Sequence, residues 1–163
     1  MKMSSIILLV VLLGQSAEAA APDLKYLIPA GAQRGQTQEV KIGGSLGTAT
    51  VLAWCSNKGV AISVPEKGKQ LSVKVVADAQ PGLCWIRLYN AEGASALRPF
   101  VIGTLSEVAE KEPNNQVSQA QQLPSTQVVI NGAVDGVDDV DAVAVPLEKG
   151  QTVVASIDAN QDR

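Results

Sequence analysis

Short apolar segments alternate with polar residues and turn signals along most of the chain. Residues 39–42 and 71–75, for example, place an apolar side chain at every second position. Because successive side chains of a strand point to opposite faces, this two-residue period predicts strands with one buried face. Such segments, with no amphipathic helix among them, lie at 40–42, 48–54, 60–64, 71–75, 82–89 and 95–102. Their number and spacing predict an all-β fold, with an Ig-like β-sandwich over residues 20–103. We interpret the glycine-containing stretches at 30–36 and 43–47 as turns between strands.

The composition changes at Thr104. An acidic stretch, Pro113 and several amide side chains follow, so we interpret residues 104–125 as a linker with one helical turn at 118–122. Strand patterning resumes after it, at 127–130, 140–145 and 152–157. Three strands bury only one face of a sheet. Either they add to the first domain, or residues 126–163 are a truncated β domain, and we favour truncation.

The first 19 residues have the pattern of a signal peptide. Lys2 is the only charge before Glu18, every residue from Ile6 to Leu13 is Ile, Leu or Val, and Ala17–Ala19 supplies a small-x-small cleavage pattern. An apolar run of this length is too short to span a membrane, which takes about 20 residues. We therefore predict cleavage before Ala20 and a secreted, periplasmic or cell-envelope protein with no membrane contact after cleavage. An uncleaved anchor is the alternative.

The chain has two cysteines. Cys84 alternates with Ile86 and Leu88 and is expected to point inward from its strand, while Cys55 ends an apolar run. Two buried free thiols would be compatible with this pattern, because free Cys behaves as a small hydrophobe. Export and an even number of cysteines favour a Cys55–Cys84 disulfide.

Charge and residue usage exclude several functions. The net charge is −3 with no basic cluster, which argues against nucleic acid or an anionic membrane as a partner. The chain contains no His, so Ser-His-Asp and Cys-His sites and most zinc sites are excluded. The acidic residues cluster in the linker and one loop, whereas all five aromatic residues precede residue 104. We therefore predict that the chain is not an enzyme.

Five motifs follow one another in the second half: Glu-x-Glu-Pro-Asn-Asn at 110–115, Ala-x-x-Leu-Pro at 120–124, Asn-Gly at 131–132, Asp-Val-Asp at 139–141 and Lys-Gly-Gln at 149–151. Together they resemble the opening half of a bacterial pre-peptidase C-terminal (PPC) domain. Residues 29–35 and 93–95 are similar to the β-sandwich that precedes such domains in large secreted proteins of environmental bacteria such as planctomycetes. The resemblance covers nearly the whole mature chain.

The resemblance implies a jelly-roll-like sandwich, incomplete here because the family's later strands are absent. It implies a non-catalytic secreted binding or structural module of a larger exported protein; the alternative is the non-catalytic front end of a secreted peptidase whose catalytic domain is absent. The partner would be an extracellular protein or a polysaccharide. This chain has Ala142, Val143 and Val145 where the family usually has aromatic residues.

The resemblance also implies calcium binding by the acidic linker and an aspartate-bearing loop. By position, Glu110, Glu112, Asn114 and Asn115 match the linker ligands. Asp138, Asp139 or Asp141 would match the loop carboxylates, and the pattern does not fix which. Hard cations take about six to eight oxygens, which carboxylates and amides from two segments can supply. The alternative is a solvated acidic surface. We expect this chain to bind weakly or not at all, and a completed domain to bind more tightly.

Overall fold

The computed structural model describes residues 20–47, 49–66, 68–134 and 136–157, so the predicted signal peptide lies outside the described residues. Within these ranges the regular structure is one 3₁₀ turn at Val117–Gln119 and the following strands: β1 (Asp23–Ile28), β2 (Gly31–Gln33), β3 (Thr37–Ser45), β4 (Leu52–Cys55), β5 (Val60–Ser63), β6 (Gln70–Val75), β7 (Gly82–Asn90), β8 (Gly93–Ala94), β9 (Arg98–Gly103), β10 (Ser106–Ala109), β11 (Gln121–Gln122), β12 (Val128–Asn131) and β13 (Val143–Ala144). None of the described residues belongs to a helix with the length and apolarity needed to span a membrane.

The first nine strands form two sheets. One is antiparallel with the order β1-β3-β6-β5, and the other has the order β2-β9-β7-β4 with β8 paired to β7. In the second sheet β2 runs parallel to β9, and the other neighbours are antiparallel. One cluster of buried side chains joins both sheets. This arrangement confirms the predicted all-β, sandwich-like fold.

The core follows the predicted alternation. Leu71, Val73 and Val75 of β6 are buried, as are the alternate residues of β7, including Cys84. Phe100 of β9 is the largest fully buried side chain among them. Burying a side chain of this kind contributes about 1.5–3 kcal/mol, so strands β6, β7 and β9 hold the two sheets together.

Two glycine-containing segments that read as turns are strands instead. Gly31–Gln33 is β2, inside the predicted turn at 30–36, and Gly43, Gly44 and Ser45 end β3, where the sequence predicts a turn at 43–47. The Tyr26 ring lies where any side chain on residue 43 would sit, and the register of β1 shifts between Leu24 and Tyr26. Glycine is used here for the close approach of a neighbouring strand rather than for a chain reversal.

The second half departs further from the prediction. The segment 104–125, interpreted as a linker, contains β10 and β11, which pair in parallel with β12 and β13. The predicted helical turn is the 3₁₀ turn at Val117–Gln119. No strand forms at 152–157, and the strand predicted at 140–145 is reduced to Val143–Ala144. Val154 and Ile157 are 89% and 92% exposed, so their apolar side chains have no sheet to pack on within the described residues.

Candidate metal centre

Parallel pairing brings two separate segments to one place. The segment 110–114 leaves β10, and its backbone is bonded on both sides: Glu110 N donates to Asn131 O at 2.9 Å, and Ala142 N donates to Asn114 O at 3.1 Å. These bonds fix residues 110–114 between the end of β12 and the start of β13. Asp141 immediately precedes that second contact, so its side chain comes within reach of the Glu-x-Glu motif.

Three carboxylates converge at this point. One carboxylate oxygen from each of Glu110, Glu112 and Asp141 lies within 4.8 Å of the others, and we call these three residues the acidic cluster. Glu110 is half-buried, while Glu112 and Asp141 are exposed. The glutamates reach the same point because alternate residues of an extended chain face the same way.

The Asn114 side chain lies beneath the acidic cluster and is fully buried. Its Nδ2 donates to Glu110 Oε1 at 3.5 Å, and its backbone N donates to Glu112 Oε2 at 3.0 Å. Its Oδ1 is buried and finds no hydrogen-bond partner among the described residues. A buried acceptor without a partner costs about 1–3 kcal/mol, so this oxygen lacks the donor or cation that such a position normally has.

The cluster is electrostatically strained. A hydrogen bond with Glu110, together with desolvation and the charges of Glu110 and Asp139, raises the pKa of Asp141 to about 6 from an ordinary 3.8. The raised pKa means that Asp141 holds its proton more tightly beside Glu110 than it would in water. A divalent cation would replace that proton and reverse the sign of the interaction.

Glu110 is held by the segment that leaves β12 at Asn131 and Gly132. Its Oε2 accepts a hydrogen bond from Ala133 N at 2.7 Å. A side chain at residue 132 would collide with the Glu110 carboxylate, so glycine is required there for this approach. The Asn-Gly motif therefore positions a carboxylate of the acidic cluster at the end of β12.

The remaining predicted ligands lie beside the acidic cluster. With its amide nitrogen turned toward them, Asn115 donates to Val140 O and Asp139 Oδ1, each at 3.2 Å. Asn115, Asp138 and Asp139 line a shallow depression whose wall is shared with Glu112. Of the three candidate aspartates, the structure brings Asp141 into the cluster and leaves Asp138 and Asp139 in the neighbouring depression.

The two cysteines are free thiols whose side chains contact each other. A hydrogen bond between them lowers the pKa of Cys55 to about 7, against an ordinary 9.0, and it raises the pKa of Cys84, which is also desolvated. Phe100 O, 3.1 Å from Cys84 Sγ, is the alternative acceptor for the single S–H proton of Cys84. The contact between the side chains agrees with the predicted pairing, while the disulfide itself stays a prediction.

A second concave site was not identified from the sequence. Trp54, Arg87 and Tyr89 line a pocket on the outer face of the second sheet. The sequence pattern that could have revealed this pocket is the alternation in β7. Residues 85, 87 and 89 lie between the inward-facing residues of that strand, so their side chains must face outward. Alternation alone marks the inward row as core and does not show that the outward row lines a pocket.

Comparisons with known proteins leave the family open. No family model matches the chain, and no curated protein matches it. Among solved structures, a proposed alpha-galactosidase/melibiase from Bacteroides fragilis NCTC 9343 aligns over 64% of this chain with 14% identity and a TM-score of 0.32. The aligned part is 23% of that protein's chain, and a similarity at this level supports no conclusion about fold or function.

Proposed function

We propose that this chain is a non-catalytic, secreted binding or structural module, similar to a PPC-containing protein, in which Ca²⁺ binds at the acidic cluster. The observation that carries the calcium site is the buried, unpartnered Oδ1 of Asn114 beside three converging carboxylates. The motif resemblance supports the same ligands independently of this geometry.

The ligand set suits calcium. The cluster offers three carboxylates, and rotation of the Asn114 amide about its last bond would direct Oδ1 toward them in place of Nδ2. Carboxylate and amide oxygens are hard donors, and Ca²⁺ accepts about six to eight of them in irregular geometry, with bidentate carboxylates and water completing the shell. Mg²⁺ demands a near-ideal octahedron and dehydrates reluctantly, so we expect it to bind more weakly.

Calcium at this place would act on structure rather than on chemistry. It would tie the Glu-x-Glu segment after β10 to Asp141 before β13, with the like charges of the cluster neutralised by the ion. Glu112 and Asp141 are exposed and no His is present in the chain, so the site lacks the enclosed acid-base pair that a hydrolase needs. Two of the three carboxylates of the cluster are exposed. Such an open site suits the weak binding of extracellular calcium modules, whose Kd values are about 10⁻⁴–10⁻³ M.

Calorimetric titration of residues 20–163 with Ca²⁺ tests this proposal. We expect binding with a Kd of about 10⁻⁴–10⁻³ M and a gain in unfolding free energy of about 1.8 kcal/mol when the free ion is at 20 times Kd. Glu112→Gln and Asp141→Asn should each weaken binding at least about tenfold, because a charged ligand contributes about 1.5–3 kcal/mol.

Asp138→Asn is the matched control for Asp141→Asn. It removes one negative charge from the same loop, and Asp138 is not part of the acidic cluster. It should bind Ca²⁺ as the parent protein does, apart from a small long-range effect. The proposal fails if the parent chain shows no binding. It also fails if Glu112→Gln and Asp141→Asn bind as well as the parent, because the cluster would then be only a solvated surface.

A further inference from the structure

The outer face of the second sheet exposes aromatic side chains on neighbouring strands. Trp54 of β4 is 49% exposed, Trp85 of β7 is 41% exposed and Tyr89 of β7 is 38% exposed. Trp54 lies directly opposite Arg87 in the β4–β7 ladder, and Tyr89 lies two residues further along β7 on the same face. Aromatic rings carry a large apolar surface, so exposing three of them on one face is unfavourable unless a ligand or partner covers them.

Part of this face is concave. Trp54, Arg87 and Tyr89 line a pocket of about 550 Å³, closed at one end by Leu97 and the turn that begins at Asn90. The side-chain amide of Asn90 is fully used by the fold, since it donates to Ala20 O and accepts from two backbone N–H groups of its own turn. This turn is therefore a fixed wall. The volume is in the range of sites for small ligands, about 300–1,000 Å³, and the pocket is open to solvent along one side.

Arg87 supplies the only charge among the residues that line the pocket. Its Nε is buried and has no hydrogen-bond partner among the described residues. Arginine donates two parallel bonds to a carboxylate in a fixed geometry. A carboxylate in the pocket would give this cation a counter-charge, bound by the terminal Nη groups rather than by the buried Nε.

We propose that this pocket binds an acidic polysaccharide through a uronate unit, whose sugar ring stacks on Trp54 or Tyr89 while its carboxylate pairs with Arg87. The flat faces of the rings fit the C–H face of a sugar, and the pocket has room for one or two such rings. The inference relies on the proposed export of the protein, which would bring it into contact with such polymers. It uses none of the residues of the acidic cluster, so the two proposals can fail separately.

The test is titration of residues 20–163 with oligogalacturonate, in EDTA so that the acidic cluster is empty and calcium cannot cross-link the ligand. Fully methyl-esterified oligogalacturonate has the same sugar backbone without the charge and serves as the matched ligand. We expect the acid to bind at least about tenfold tighter than the ester, the difference that one charge-assisted pair provides.

Variants locate the site. Trp54→Ala should weaken both ligands, whereas Arg87→Gln should weaken only the acid and remove the preference. Tyr26→Ala is the matched control, because Tyr26 is as exposed as Tyr89, at 37%, but lies on β1 of the opposite sheet. Its binding should equal that of the parent, and thermal melts of all variants confirm folding.

Three results would overturn the proposal. One is the absence of binding to either ligand. Another is binding that Trp54→Ala and Arg87→Gln leave unchanged while both variants are folded. The third is a concentration-dependent dimer, seen by light scattering and abolished by Trp54→Ala, since a second copy of the chain would then cover the face. Loss of calcium binding alone leaves this prediction intact, because the titration contains no calcium.

Discussion

Oxidation of Cys55 and Cys84 to a disulfide should raise the stability of the sandwich. Cys55 ends β4 directly opposite Ile86 of β7, and Cys84 precedes Ile86 by two residues on the same buried face. The two cysteines are therefore diagonal neighbours on adjacent strands. The structure holds them as free thiols that interact through their side chains, so bond formation requires a movement at the end of β4.

The magnitude follows from the loop that the bond would close. Residues 55–84 form a loop of about 30 residues, for which the chain-entropy model gives about 3–4 kcal/mol. Diagonal neighbours in a regular ladder have Cα atoms about 7–8 Å apart, somewhat beyond the usual disulfide range of about 4.4–6.8 Å. Strain at the end of β4 reduces the gain, and we expect about 2–4 kcal/mol. For a domain of this size the midpoint of thermal unfolding should rise by roughly 10–20 °C.

Denaturant unfolding of residues 20–163 before and after reduction measures this difference. Cys55→Ala is the control, because it removes the bond while leaving the buried Cys84 in place, and its stability should not respond to reductant. In the reduced parent protein, Cys55 should be alkylated first with a midpoint near its pKa of about 7, while buried Cys84 reacts only on unfolding.

Two outcomes would refute the reasoning. If exported or air-oxidised protein still carries two titratable thiols, the side-chain contact does not lead to a bond. If the bond forms but the oxidised and reduced proteins unfold at the same free energy, strain at the end of β4 cancels the entropic gain and the structural estimate is wrong.

Two further predictions concern packing and pH. Burial raises the pKa of Glu107 above its ordinary 4.5, although its bond from Asn131 Nδ2 at 2.6 Å acts in the opposite sense. Because the folded-state pKa is raised, the contribution of Glu107 to stability is fully present below pH 4.5 and is lost as pH rises through the raised value. Glu107→Gln, which keeps an acceptor for Asn131, should therefore show a smaller fall in stability between pH 4 and pH 7 in EDTA, and an unchanged pH profile contradicts this. Phe100→Ala should cost about 3–5 kcal/mol of unfolding free energy because the side chain is fully buried. Leu83→Ala, at a side chain that is 60% exposed, should cost well under about 1 kcal/mol, and equal losses would contradict the assigned core.

The parts of the fold that could be predicted are those that depend on local alternation. Strands β6 and β7 each show a two-residue period, and their apolar rows became the core because burial is decided residue by residue along one strand. The glycines of β3 misled the prediction, since Gly43 serves the nearby Tyr26 rather than a turn. That role depends on which strand lies alongside, and periodicity within one segment carries no such information.

The sequence predicted which types of residue form the candidate site, but not which of the three aspartates belongs to it. The motif resemblance named Glu110, Glu112 and Asn114 correctly as neighbours, yet it could not choose among three aspartates. The choice is made by the pairing of β11 with β13, each two residues long, which fixes Asp141 beside the Glu-x-Glu segment. Strands so short have no measurable period, and parallel pairing between distant segments is a property of the folded chain.

The register of β7 connects the core to the proposed binding face. A slip of one residue would exchange the row of Cys84, Ile86 and Leu88 for the outward row of residues 85, 87 and 89. The outward row has the larger apolar surface, so burial of area alone would favour the exchange. What forbids it is Arg87, whose guanidinium would enter a core without a partner, at a cost of several kcal/mol. Arg87 thus keeps the aromatic side chains on the surface, where they are available to a ligand.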